Sequence, residues 1–514
     1  MKRIATFMAT MATLTAIAHA QVTMNYSVEY KIKNVNSGLV LGITGASQTA
    51  GAQLVQWADN GTADHLWHFM PIGTNVYNIE NMNSHQVIGV SGASTSDGAD
   101  IVQWADSGTT DHNWEVIATS SGNYMIKNVN SGLYLEVEDG STSDTATIDQ
   151  WSDTGCTCQE WEFVNTGTDP YPKPHTVTGT GIYVHDPYML WDATTAAYWL
   201  YGTHQTIAYS TDRTTFTYTT ESTSKGACTA IEGGSWITDD GRCPIIGPDF
   251  SSWTGLQTPK SDNGGNDDDV WAPALMYEGS TFYQYYSIPY EPSTGAEAII
   301  GLATSSTPYG PWTDKGVVVS SWTGASKGVP SPNPWGFSSS TTWNAIDGSP
   351  FVDNSGNWWM VFGSWQDGTH LIPLVNSTGL RSGSTSYKIA SRAAGEEGPY
   401  IFYHGGYYYY FAPINACCSA TSDYRTIYGR SASVTGPYVD RGGLDLTAGG
   451  GTILISTHDN IVGPGGGSVF TDGHNGNTLT FVYHYYDGNN NGTPTLGINS
   501  IAFTSDGWPY LVAN

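Results

Sequence analysis

The chain has 514 residues, of which only 12% are charged, and it carries 61 Gly, 19 Trp and 32 Tyr with a formal net charge of −28 at pH 7. Sparse charge together with abundant Gly and aromatic residues is typical of loop-rich, all-β, exported proteins. Nucleic acids and anionic membranes attract clustered Lys and Arg, so the acidity excludes both as expected partners. The length allows roughly one to four domains.

The first residues have the pattern of a secretory signal peptide. Lys2 and Arg3 precede the apolar residues 4–17, and an Ala-His-Ala tripeptide ends at Ala20. A basic start, an apolar core and a small-residue cleavage site are the features that direct export. No later run approaches the roughly 20 apolar residues of a membrane span. We therefore predict a signal peptide over residues 1–20 and a secreted, extracellular mature chain.

Six cysteines suit an oxidising compartment. They lie at Cys156, Cys158, Cys228, Cys243, Cys417 and Cys418. Cys228 and Cys243 could close a loop, but spacing alone does not give the connectivity. No His residues accompany them at zinc-like spacing, so disulfide bonds are favoured over metal binding.

An internal repeat spans residues 30–163. The segments "YKIKNVNSGLVLGI", "YNIENMNSHQVIGV" and "YMIKNVNSGLYLEV" start 47 residues apart, and two Trp positions recur with the same step. Short alternating strands separated by turns rich in Gly, Ser and Asn predict a threefold β unit whose copies bury their faces together.

This pattern resembles the ricin-B-type β-trefoil lectins, which also serve as carbohydrate-binding modules. Their Gln-x-Trp signature is kept in the third copy, as Gln159-Glu160-Trp161, and the resemblance implies that its Trp is a core residue. We expect sugar to stack on Trp57, Trp104 or Trp151, since a flat ring presents an apolar face.

The third copy is the predicted sugar site. The family places an acidic acceptor for sugar hydroxyls where the first two copies have Gly42 and Gly89, and only the third has a carboxylate, Glu136. Trp151 and Glu136 are therefore the predicted substrate-binding residues of this domain, which we place at residues 21–165.

A linker separates the two halves of the chain. Residues 166–176 are rich in Pro, Thr and Gly, as expected for a semi-rigid spacer. The second domain is predicted to span residues 177–514.

One type of strand recurs in this second half. It is dense in Tyr, Trp and Phe and appears as Ala197–Tyr201, Phe282–Ser287, Trp358–Phe362, Tyr407–Phe411 and Leu479–Tyr485. Five such units predict radial repetition of small antiparallel sheets, a five-bladed β-propeller. A β-sandwich with aromatic strands is the alternative. The fold class is thus all-β, with an N-terminal β-trefoil followed by the propeller.

Three carboxylates stand out in this half, namely Asp186 in "YVHDPYML", Asp347 in "WNAIDGSP" and Glu397 in "GEEGPYIF". Each precedes a Pro and an aromatic residue, as capping residues at strand ends also do. In a propeller the innermost strands converge on one channel, so the three acids are predicted to meet there. Like charges at such a site shift each other's pKa, which indicates chemistry.

The second half resembles the glycoside hydrolases of family 43, and most of all their α-L-arabinanase members. The resemblance rests on "VHDP", "WAPALMYEG", "WNAIDGSPF", "EEGPYIF", "NACCSATSDYRTIYGRS", "GGGT", "VGPGGGS" and "VYHYYD", which occur in this order. It implies a secreted inverting hydrolase of α-1,5-L-arabinofuranosyl linkages in arabinan, with the lectin-like module for polysaccharide targeting.

The resemblance also implies residue roles. Asp186 corresponds to the general base, Asp347 to the modulator of the acid's pKa and Glu397 to the general acid, with Trp271 and Asn344 as substrate-binding residues. Inversion requires a protonated carboxyl on one face of the sugar and an ionised one, activating water, on the other. Of the neighbours Glu396 and Glu397, only one can face the channel, because successive strand residues point to opposite faces.

The resemblance further implies a bound ion. His484 of "VYHYYD" corresponds to a family His near a calcium or sodium ion in the propeller channel, and a packed core imidazole is the alternative. Arabinanases carry a His in their "GPGHN" segment where this chain has Gly466, which implies a looser wall of the site.

Several functions stay open at this stage. Endo action on arabinan is preferred, with the insertion at 228–269 as the element that could block a subsite. An exo-acting arabinanase, an α-L-arabinofuranosidase or a β-xylosidase of the same family is the alternative, and a non-catalytic carbohydrate-binding protein is a third. The expected partner is polysaccharide, namely arabinan or pectic side chains, and the chain is expected to be a monomer.

Overall fold

A computed structural model describes residues 22, 24–204, 206–219, 270–289, 298–310, 312–321 and 343–513. The predicted signal peptide, the insertion at 228–269 and the pair Cys228 and Cys243 lie outside these residues. Within them the chain forms strands and short 3₁₀ turns, and no helix there has the length and apolarity that crossing a membrane requires. The 3₁₀ turns are Thr44–Ala46, Ala63–His65, Ser91–Ala93, Thr110–His112, Glu138–Gly140, Thr157–Gln159, Thr180–Ile182 and Leu446–Ala448.

The N-terminal half is built from one twelve-stranded antiparallel sheet. Its strands are β1 (Tyr30–Asn34), β2 (Val40–Ile43), β3 (Leu54–Trp57), β4 (Trp67–Gly73), β5 (Val76–Asn81), β6 (Val87–Val90), β7 (Ala99–Trp104), β8 (Trp114–Ala118), β9 (Tyr124–Asn128), β10 (Tyr134–Val137), β11 (Ile148–Trp151) and β12 (Trp161–Asn165). Each predicted repeat supplies four consecutive strands, and the first strand of the half, β1, pairs with the last, β12. This closed threefold arrangement is the β-trefoil predicted from the sequence, and we call it the trefoil.

The repeated Trp residues of the signature position form the centre of the trefoil core. Trp67, Trp114 and Trp161 are each fully buried. Each indole nitrogen donates to a backbone carbonyl 26 residues earlier, at 3.0–3.1 Å. The buried polar atom of each ring is therefore satisfied, and these residues serve the fold, as the resemblance implied.

The C-terminal half consists of five separate four-stranded antiparallel sheets. Blade one has β13 (Tyr188–Asp192), β14 (Ala197–Gly202), β15 (Thr206–Ser210) and β16 (Thr217–Tyr218); blade two has β17 (Trp271–Glu278), β18 (Thr281–Pro289), β19 (Ala298–Ser305) and β20 (Thr313–Ser320); blade three has β21 (Ser349–Val352), β22 (Trp358–Phe362), β23 (Thr369–Pro373) and β24 (Tyr387–Ala390); blade four has β25 (Tyr400–His404), β26 (Tyr407–Ile414), β27 (Arg425–Ser431) and β28 (Thr452–Ile455); blade five has β29 (Ile461–Asp472), β30 (Thr478–Asp487), β31 (Thr493–Phe503) and β32 (Pro509–Val512).

The five aromatic strands predicted from sequence are the second strands of the five blades, β14, β18, β22, β26 and β30. They are largely buried because each is covered by neighbouring strands within its sheet and by adjacent blades on its faces. Aromatic and β-branched residues suit this position since they fill the space between stacked sheets. The five-bladed propeller is confirmed, and the β-sandwich alternative is excluded. We call this half the propeller.

The ring closes between blades five and one. Asp472, at the end of β29, is fully buried and accepts from Arg213 Nη1 at 2.9 Å and from Tyr198 Oη at 3.0 Å. Both donors belong to blade one. A buried carboxylate with this many partners is compensated for the loss of water, so the first and last blades are joined by side chains rather than by a shared strand.

The segment predicted as a spacer is packed between the two halves. Tyr171 is only 4% exposed, and its hydroxyl donates to Glu80 Oε2 at 2.5 Å and lies 3.4 Å from Ser456 Oγ. One partner belongs to the trefoil and the other to the propeller. The trefoil is consequently held against the propeller instead of being tethered by a solvent-exposed linker.

Candidate active site

The innermost strands of the five blades share one unusual backbone position just before or within each strand. It is occupied by Asp186, Ala272, Asp347, Gly398 and Gly466, with φ of 50°, 42°, 59°, 52° and 57°. All five line the central channel of the propeller. Three are not Gly, and positive φ is uncommon for such residues, so the strain is tolerated to aim side chains at the axis.

The third acid, Glu397, comes from the position just before one of these five channel-lining residues. Gly398 is the residue of blade four that matches Asp186 and Asp347, and Glu397 precedes it. All three carboxylates line one cavity of about 420 Å³ at the mouth of the channel. The structure thus brings together the three acids that were singled out from sequence, from blades one, three and four.

Asp186 is surrounded by hydrogen-bond donors. Its Oδ2 accepts from His185 Nδ1 at 2.8 Å and from Thr203 Oγ1 at 2.6 Å, and its backbone N–H donates to His484 Nδ1 at 3.1 Å. Burial raises the pKa of Asp186, but the adjacent His185, His484 and Thr203 lower the pKa by a larger amount. The net pKa therefore lies well below the usual range. Asp186 is therefore ionised at any working pH.

A closed loop of hydrogen bonds starts and ends at Asp186. His484 accepts from the Asp186 amide and lies 3.2 Å from Tyr486 Oη through its other nitrogen, Nε2. Tyr486 Oη lies 2.8 Å from His185 Nε2, and His185 contacts the Asp186 carboxylate. The two imidazoles stack with centroids 3.9 Å apart.

Hydrogen-bond counting assigns the protons in this loop. Since His484 Nδ1 accepts, the neutral ring carries its proton on Nε2 and donates to Tyr486, which also accepts from the Cys418 amide at 2.8 Å. Tyr486 then has both lone pairs occupied and donates its own proton to His185 Nε2. Burial and the neighbouring His185 keep the pKa of His484 well below its usual value, in agreement with a neutral ring.

The remaining proton of the loop lies on Nδ1 of His185, directed at Asp186. Burial lowers the pKa of His185, but the charge and hydrogen bond of Asp186 outweigh burial and the net pKa is raised. A second proton on Nε2 would nevertheless meet the oxygen of Tyr486, which has no lone pair left. His185 can become an imidazolium only if the loop opens.

Asp347 and Glu397 are held as a neighbouring pair. Asp347 Oδ2 accepts from the backbone N–H of Gly398 at 2.9 Å, and its own amide donates to Ser287 Oγ at 2.9 Å. Glu397 Oε2 accepts from Ser364 Oγ at 2.8 Å. The bond to Gly398 ties the Asp347 carboxylate to the residue that follows Glu397, so Asp347 fixes the course of the chain at the acid.

Burial raises the pKa of Glu397 to about 7, with a further contribution from the charge of Asp186 and a partial offset by the Ser364 hydrogen bond. Burial also raises the pKa of Asp347 well above its usual value, with Glu397 and Asp186 adding to the effect. Two of the three carboxyls thus favour the protonated form while Asp186 stays ionised. A site with one ionised and one protonated carboxyl is equipped for acid–base chemistry.

Glu396 lies outside the cavity. Its side chain is 1% exposed, and its backbone carbonyl accepts from the Trp365 amide at 2.8 Å. Burial raises its pKa to about 7, opposed by the charge of Arg392. The structure therefore directs Glu397, and not Glu396, to the channel.

Aromatic and sulfur-containing residues form the cavity walls. Trp271, which was singled out from sequence, lines the cavity together with Tyr424 and the disulfide between Cys417 and Cys418. Asn344 does not reach the cavity: it is buried at 6% exposure, three residues before Asp347. Its predicted contact with substrate stays a prediction.

Gly466 has a steric reason to be Gly. A Cβ at this position would lie 2.5 Å from Asp186 Oδ1 and 2.7 Å from His484 Cε1. No side chain fits there, so Gly466 does not loosen a wall of the site but makes room for the carboxylate of Asp186.

Sequence reasoning missed several residues that contact the three acids. His185 and Tyr486 could have been found, since His185 adjoins Asp186 and Tyr486 shares a strand face with His484. Thr203, Ser364 and Trp365, whose side chain is hydrogen-bonded to Glu397, carry no signal, because each comes from a turn with no recurring motif.

The residues near His484 do not fit a directly bound calcium ion. His185, Asp186 and His484 lie close enough together to share an ion, but both nitrogens of His484 are already hydrogen-bonded. Calcium takes 6–8 oxygen ligands, and this group offers only the carboxylate of Asp186. A calcium or sodium ion in the channel stays a prediction, and no catalytic step is assigned to it.

The trefoil presents two of its three candidate sugar-stacking rings to solvent. Trp57 is 38% exposed and Trp151 40% exposed, while Trp104 is half-buried. Glu136 is 7% exposed, and its Oε2 accepts from Gln159 Nε2 at 2.7 Å, which leaves only Oε1 for a ligand.

The carboxylate and the signature Gln of the third repeat form a matched pair. In the first repeat a Cβ on Gly42 would lie 2.5 Å from the ring of His65, which occupies the place of Gln159. The second repeat has the same Gly-and-His combination at Gly89 and His112. Gly therefore accompanies His, and Glu136 accompanies Gln159, because the two side chains share one space.

The described cysteines are disulfide-bonded in pairs close in sequence. Cys156 is bonded to Cys158 and Cys417 to Cys418. Disulfide bonds rather than metal ligation are thus borne out for these four residues, and the second bond stands at the edge of the cavity.

Comparisons with known proteins agree with both halves of the architecture. Glycosyl hydrolases family 43 matches residues 248–509, and the ricin-type beta-trefoil lectin domain-like family matches residues 21–104 and 110–172. The extracellular endo-alpha-(1->5)-L-arabinanase 1 of Bacillus subtilis (strain 168) is 40% identical over 245 residues, which cover 46% of this chain and 68% of that protein.

Solved structures give the same picture. The exo-1,5-alpha-L-arabinanase from a bovine ruminal metagenomic library is 31% identical with a TM-score of 0.50, over 64% of this chain and 96% of that one. The alpha-L-arabinanase of Cellvibrio cellulosa, solved as a complex with arabinohexaose, is 27% identical with a TM-score of 0.51, also over 64% and 96%.

Proposed function

The chain belongs to family 43 of the glycosyl hydrolases and is a glycoside hydrolase, and we propose that it cleaves α-1,5-L-arabinofuranosyl linkages in arabinan by inversion. The observation that carries this proposal is the cavity in which Asp186 is ionised while Glu397 has a pKa of about 7. Inverting hydrolysis requires that division of roles between two carboxyls.

Asp186 is the proposed general base. Its ionised carboxylate takes a proton from the water that attacks the anomeric carbon. Oδ2 is occupied by His185 and Thr203, so Oδ1 is the atom left to accept that proton. The loop through Tyr486 and His484 fixes the carboxylate and prevents His185 from swinging away.

Glu397 is the proposed general acid, since its raised pKa keeps a proton available for the leaving oxygen. Asp347 is the proposed modulator. It acts through the Gly398 amide, which it binds at 2.9 Å, and through mutual repulsion with Glu397 when both are charged.

The names of the relatives support arabinan as the substrate. One is called an extracellular endo-arabinanase, and the Cellvibrio cellulosa structure holds arabinohexaose. We propose endo action because the sequence motifs are arabinanase-like and because the Bacillus subtilis relative is named an endo-arabinanase. Exo action is the second candidate, because one similar structure is titled an exo-arabinanase. Trp271 at the cavity wall is the proposed platform for a sugar ring.

Targeting and location complete the proposal. The trefoil carries Trp151 as an exposed ring for polysaccharide, and the extracellular relative supports secretion of this chain. A monomeric state stays a prediction from the sequence. Polysaccharide targeting and secretion are consistent with each other, because an enzyme acting on cell-wall polysaccharide works outside the cell.

The test is release of reducing ends from debranched arabinan, with xylan and galactan as parallel substrates. We expect arabinan to be the preferred substrate and viscosity to fall early, as endo cleavage produces mixed oligosaccharides. Products of a single length at constant viscosity would establish exo action instead. Preference for xylan or galactan would overturn the substrate assignment, and no release from any polymer would favour a binding protein.

A further inference from the structure

The first residue of one trefoil loop is buried against the propeller, whereas the equivalent residues of its two counterpart loops are exposed. The counterparts lie 47 residues before and after it, and the three loops are Asp59–Gly61, Asp106–Gly108 and Asp153–Gly155. Asp106 is 2% exposed, while Asp59 and Asp153 face solvent. Three copies of one loop in a single chain make an internal comparison, and among the residues that the structure describes only the second copy is paired with the propeller.

A buried ion pair anchors this second loop. Asp106 Oδ2 lies 3.2 Å from Arg425 Nη1, and both side chains are 2% exposed. Burial raises the pKa of Asp106, but the charges of Arg425 and Arg392 outweigh it and the net pKa is lowered. Removing one partner of a buried pair leaves an uncompensated charge, so the contact constrains how the two halves fit.

The partner residues lie close in sequence to residues that line the catalytic cavity. Arg425 directly follows Tyr424, which lines the cavity. Arg392 begins the short segment 392–398 that carries Glu397, and its Nη2 donates to Gly450 O at 2.9 Å. The trefoil loop therefore contacts the residue next to Tyr424 and the start of the segment that holds the acid.

Gly108 of this loop packs directly against Ala394. A Cβ added to Gly108 would overlap the Cβ of Ala394, three residues before Glu397. At the equivalent positions Gly61 and Gly155, a Cβ would meet nothing within 4 Å. All three glycines have positive φ, of 77°, 73° and 68°, so they differ in their surroundings and hardly in backbone conformation.

Other contacts hold the same two surfaces together. The Ala50 amide donates to Gly442 O at 3.2 Å, and the Ile453 amide donates to His85 O at 3.4 Å. With the Tyr171 hydroxyl bonded to Glu80, these contacts place the trefoil in a fixed orientation on blade four.

We infer that the second repeat of the trefoil is not a sugar-binding face but a brace for the segment that carries Glu397. Its loop at 106–108 presses on Ala394 and neutralises Arg392 and Arg425, and thereby positions the acid in the cavity. Asp106 and Gly108 are positioning residues in this sense. The inference rests on the proposed function, in which Glu397 is the acid.

The experiment uses Gly108→Ala in the full chain, with Gly61→Ala and Gly155→Ala as matched controls. Each variant adds one methyl group at a left-handed position and carries the same backbone strain. Only Gly108→Ala also pushes on Ala394. The double variant Gly108→Ala with Ala394→Gly removes the overlap and should recover whatever the single variant loses.

Three readouts separate bracing from general destabilisation. The first is kcat and KM on short soluble arabino-oligosaccharides, which need no targeting by the trefoil. The second is the alkaline limb of the pH profile, and the third is the unfolding midpoint. We expect Gly108→Ala to lower kcat about tenfold, since small displacements of a catalytic group are costly, with KM little changed and the alkaline limb displaced. If the substitution only reduced the fraction of folded enzyme, kcat would fall by the same factor at every pH, and the alkaline limb of the pH profile would not move.

The outcomes are distinct. Equal behaviour of the three Gly→Ala variants, or loss of stability in Gly108→Ala with unchanged kcat and pH profile, would overturn the inference. If Gly108→Ala does not fold, Asp106→Asn takes its place, with Asp59→Asn and Asp153→Asn as controls and the same expectation. If the unaltered chain releases nothing from arabinan, the proposed function fails, and with it the claim about the acid, while the unfolding data still report the contact itself.

Discussion

The two halves of the molecule use repetition in opposite ways. The trefoil repeats keep their sequence pattern at 47-residue intervals, yet their candidate rings Trp57, Trp104 and Trp151 belong to three separate repeats. The propeller blades share little sequence, yet equivalent positions on their inner strands meet at one channel. Several blades of the propeller therefore contribute residues to one catalytic site, whereas each repeat of the trefoil carries its own candidate sugar-binding site.

This difference teaches how each half responds to change. In the propeller a single substitution alters the surroundings of every other acid, because Asp186, Asp347 and Glu397 share one cavity. In the trefoil the candidate sugar-stacking rings belong to separate repeats. Effects on catalysis should accordingly be large and interdependent in the propeller, and effects on sugar binding should be small and separable in the trefoil.

The largest effect is expected from the acid. Glu397→Gln should slow hydrolysis of arabinan about 100- to 10,000-fold, the range that a positioned acid contributes. An aryl arabinoside, if accepted, should lose far less, since its leaving group needs little protonation. Asp186→Asn should slow both substrates alike. Initial rates on the two substrates measure this, with Glu396→Gln as the control; a selective loss in that control would reassign the acid.

The pH dependence tests the same division of roles. Glu397 must be protonated to act, and its pKa of about 7 predicts a kcat/KM that falls about tenfold per pH unit above pH 7. Asp186 must be ionised, and its depressed pKa predicts no acid limb from this residue above pH 4. The stability of the fold depends on pH in the same direction. Because the pKa of the Glu397 carboxyl is raised in the folded state, its protonation favours folding at low pH, and this contribution is lost as pH rises from about 4.5 to 7. A rate that stays constant to pH 9 would contradict the assignment.

The hydrogen-bond loop gives an intermediate effect. Tyr486→Phe removes the hydroxyl that joins His185, His484 and the Cys418 amide, so the imidazole of His185 loses its fixed tautomer. We expect kcat to fall roughly tenfold with KM little changed, since the Tyr486 hydroxyl is engaged within the loop and serves to orient the base. Tyr485→Phe, on the opposite face of the same strand, is the control, and equal losses in both variants would remove the loop from catalysis.

A smaller effect is expected in the trefoil. Trp151→Ala should weaken pull-down on insoluble polysaccharide roughly three- to tenfold, the value of one aromatic contact, while hydrolysis of soluble oligosaccharides stays unchanged. Trp57→Ala is the matched control, because Trp57 is equally exposed but stands opposite Val40, whereas Trp151 stands opposite Tyr134. Equal losses would mean that the third repeat has no special role.

The smallest effect is expected from chelation. Both nitrogens of His484 are occupied, so exhaustive dialysis against chelator should change the rate on arabinan less than about twofold. Re-addition of calcium or sodium is the control. A loss that calcium restores would place an ion in the channel, held through water rather than by His484.

Much of this molecule was predictable from sequence, for physical reasons. Strand periodicity and the repeated Trp residues gave both fold classes, and the convergence of inner strands in a propeller brought Asp186, Asp347 and Glu397 together without knowledge of distances. The loop through Tyr486 was not predictable, since it depends on side-chain geometry across blades one and five. The docking of Asp106 on Arg425 was hidden because nothing in the second repeat's sequence distinguishes a buried loop from an exposed one.

The ring of blades is closed by contacts of Asp472 with Arg213 and Tyr198. This has a consequence for when the chain becomes active during synthesis. Asp186 is synthesised about 300 residues before His484 and Tyr486, as their numbers show. Until blade five folds onto blade one, the base therefore lacks both the support of His484 and the wall at Gly466. Domains generally fold as units during synthesis from the N-terminus. The trefoil can therefore be complete while the propeller is still catalytically silent, and hydrolytic competence should arise abruptly, with the last blade to be made.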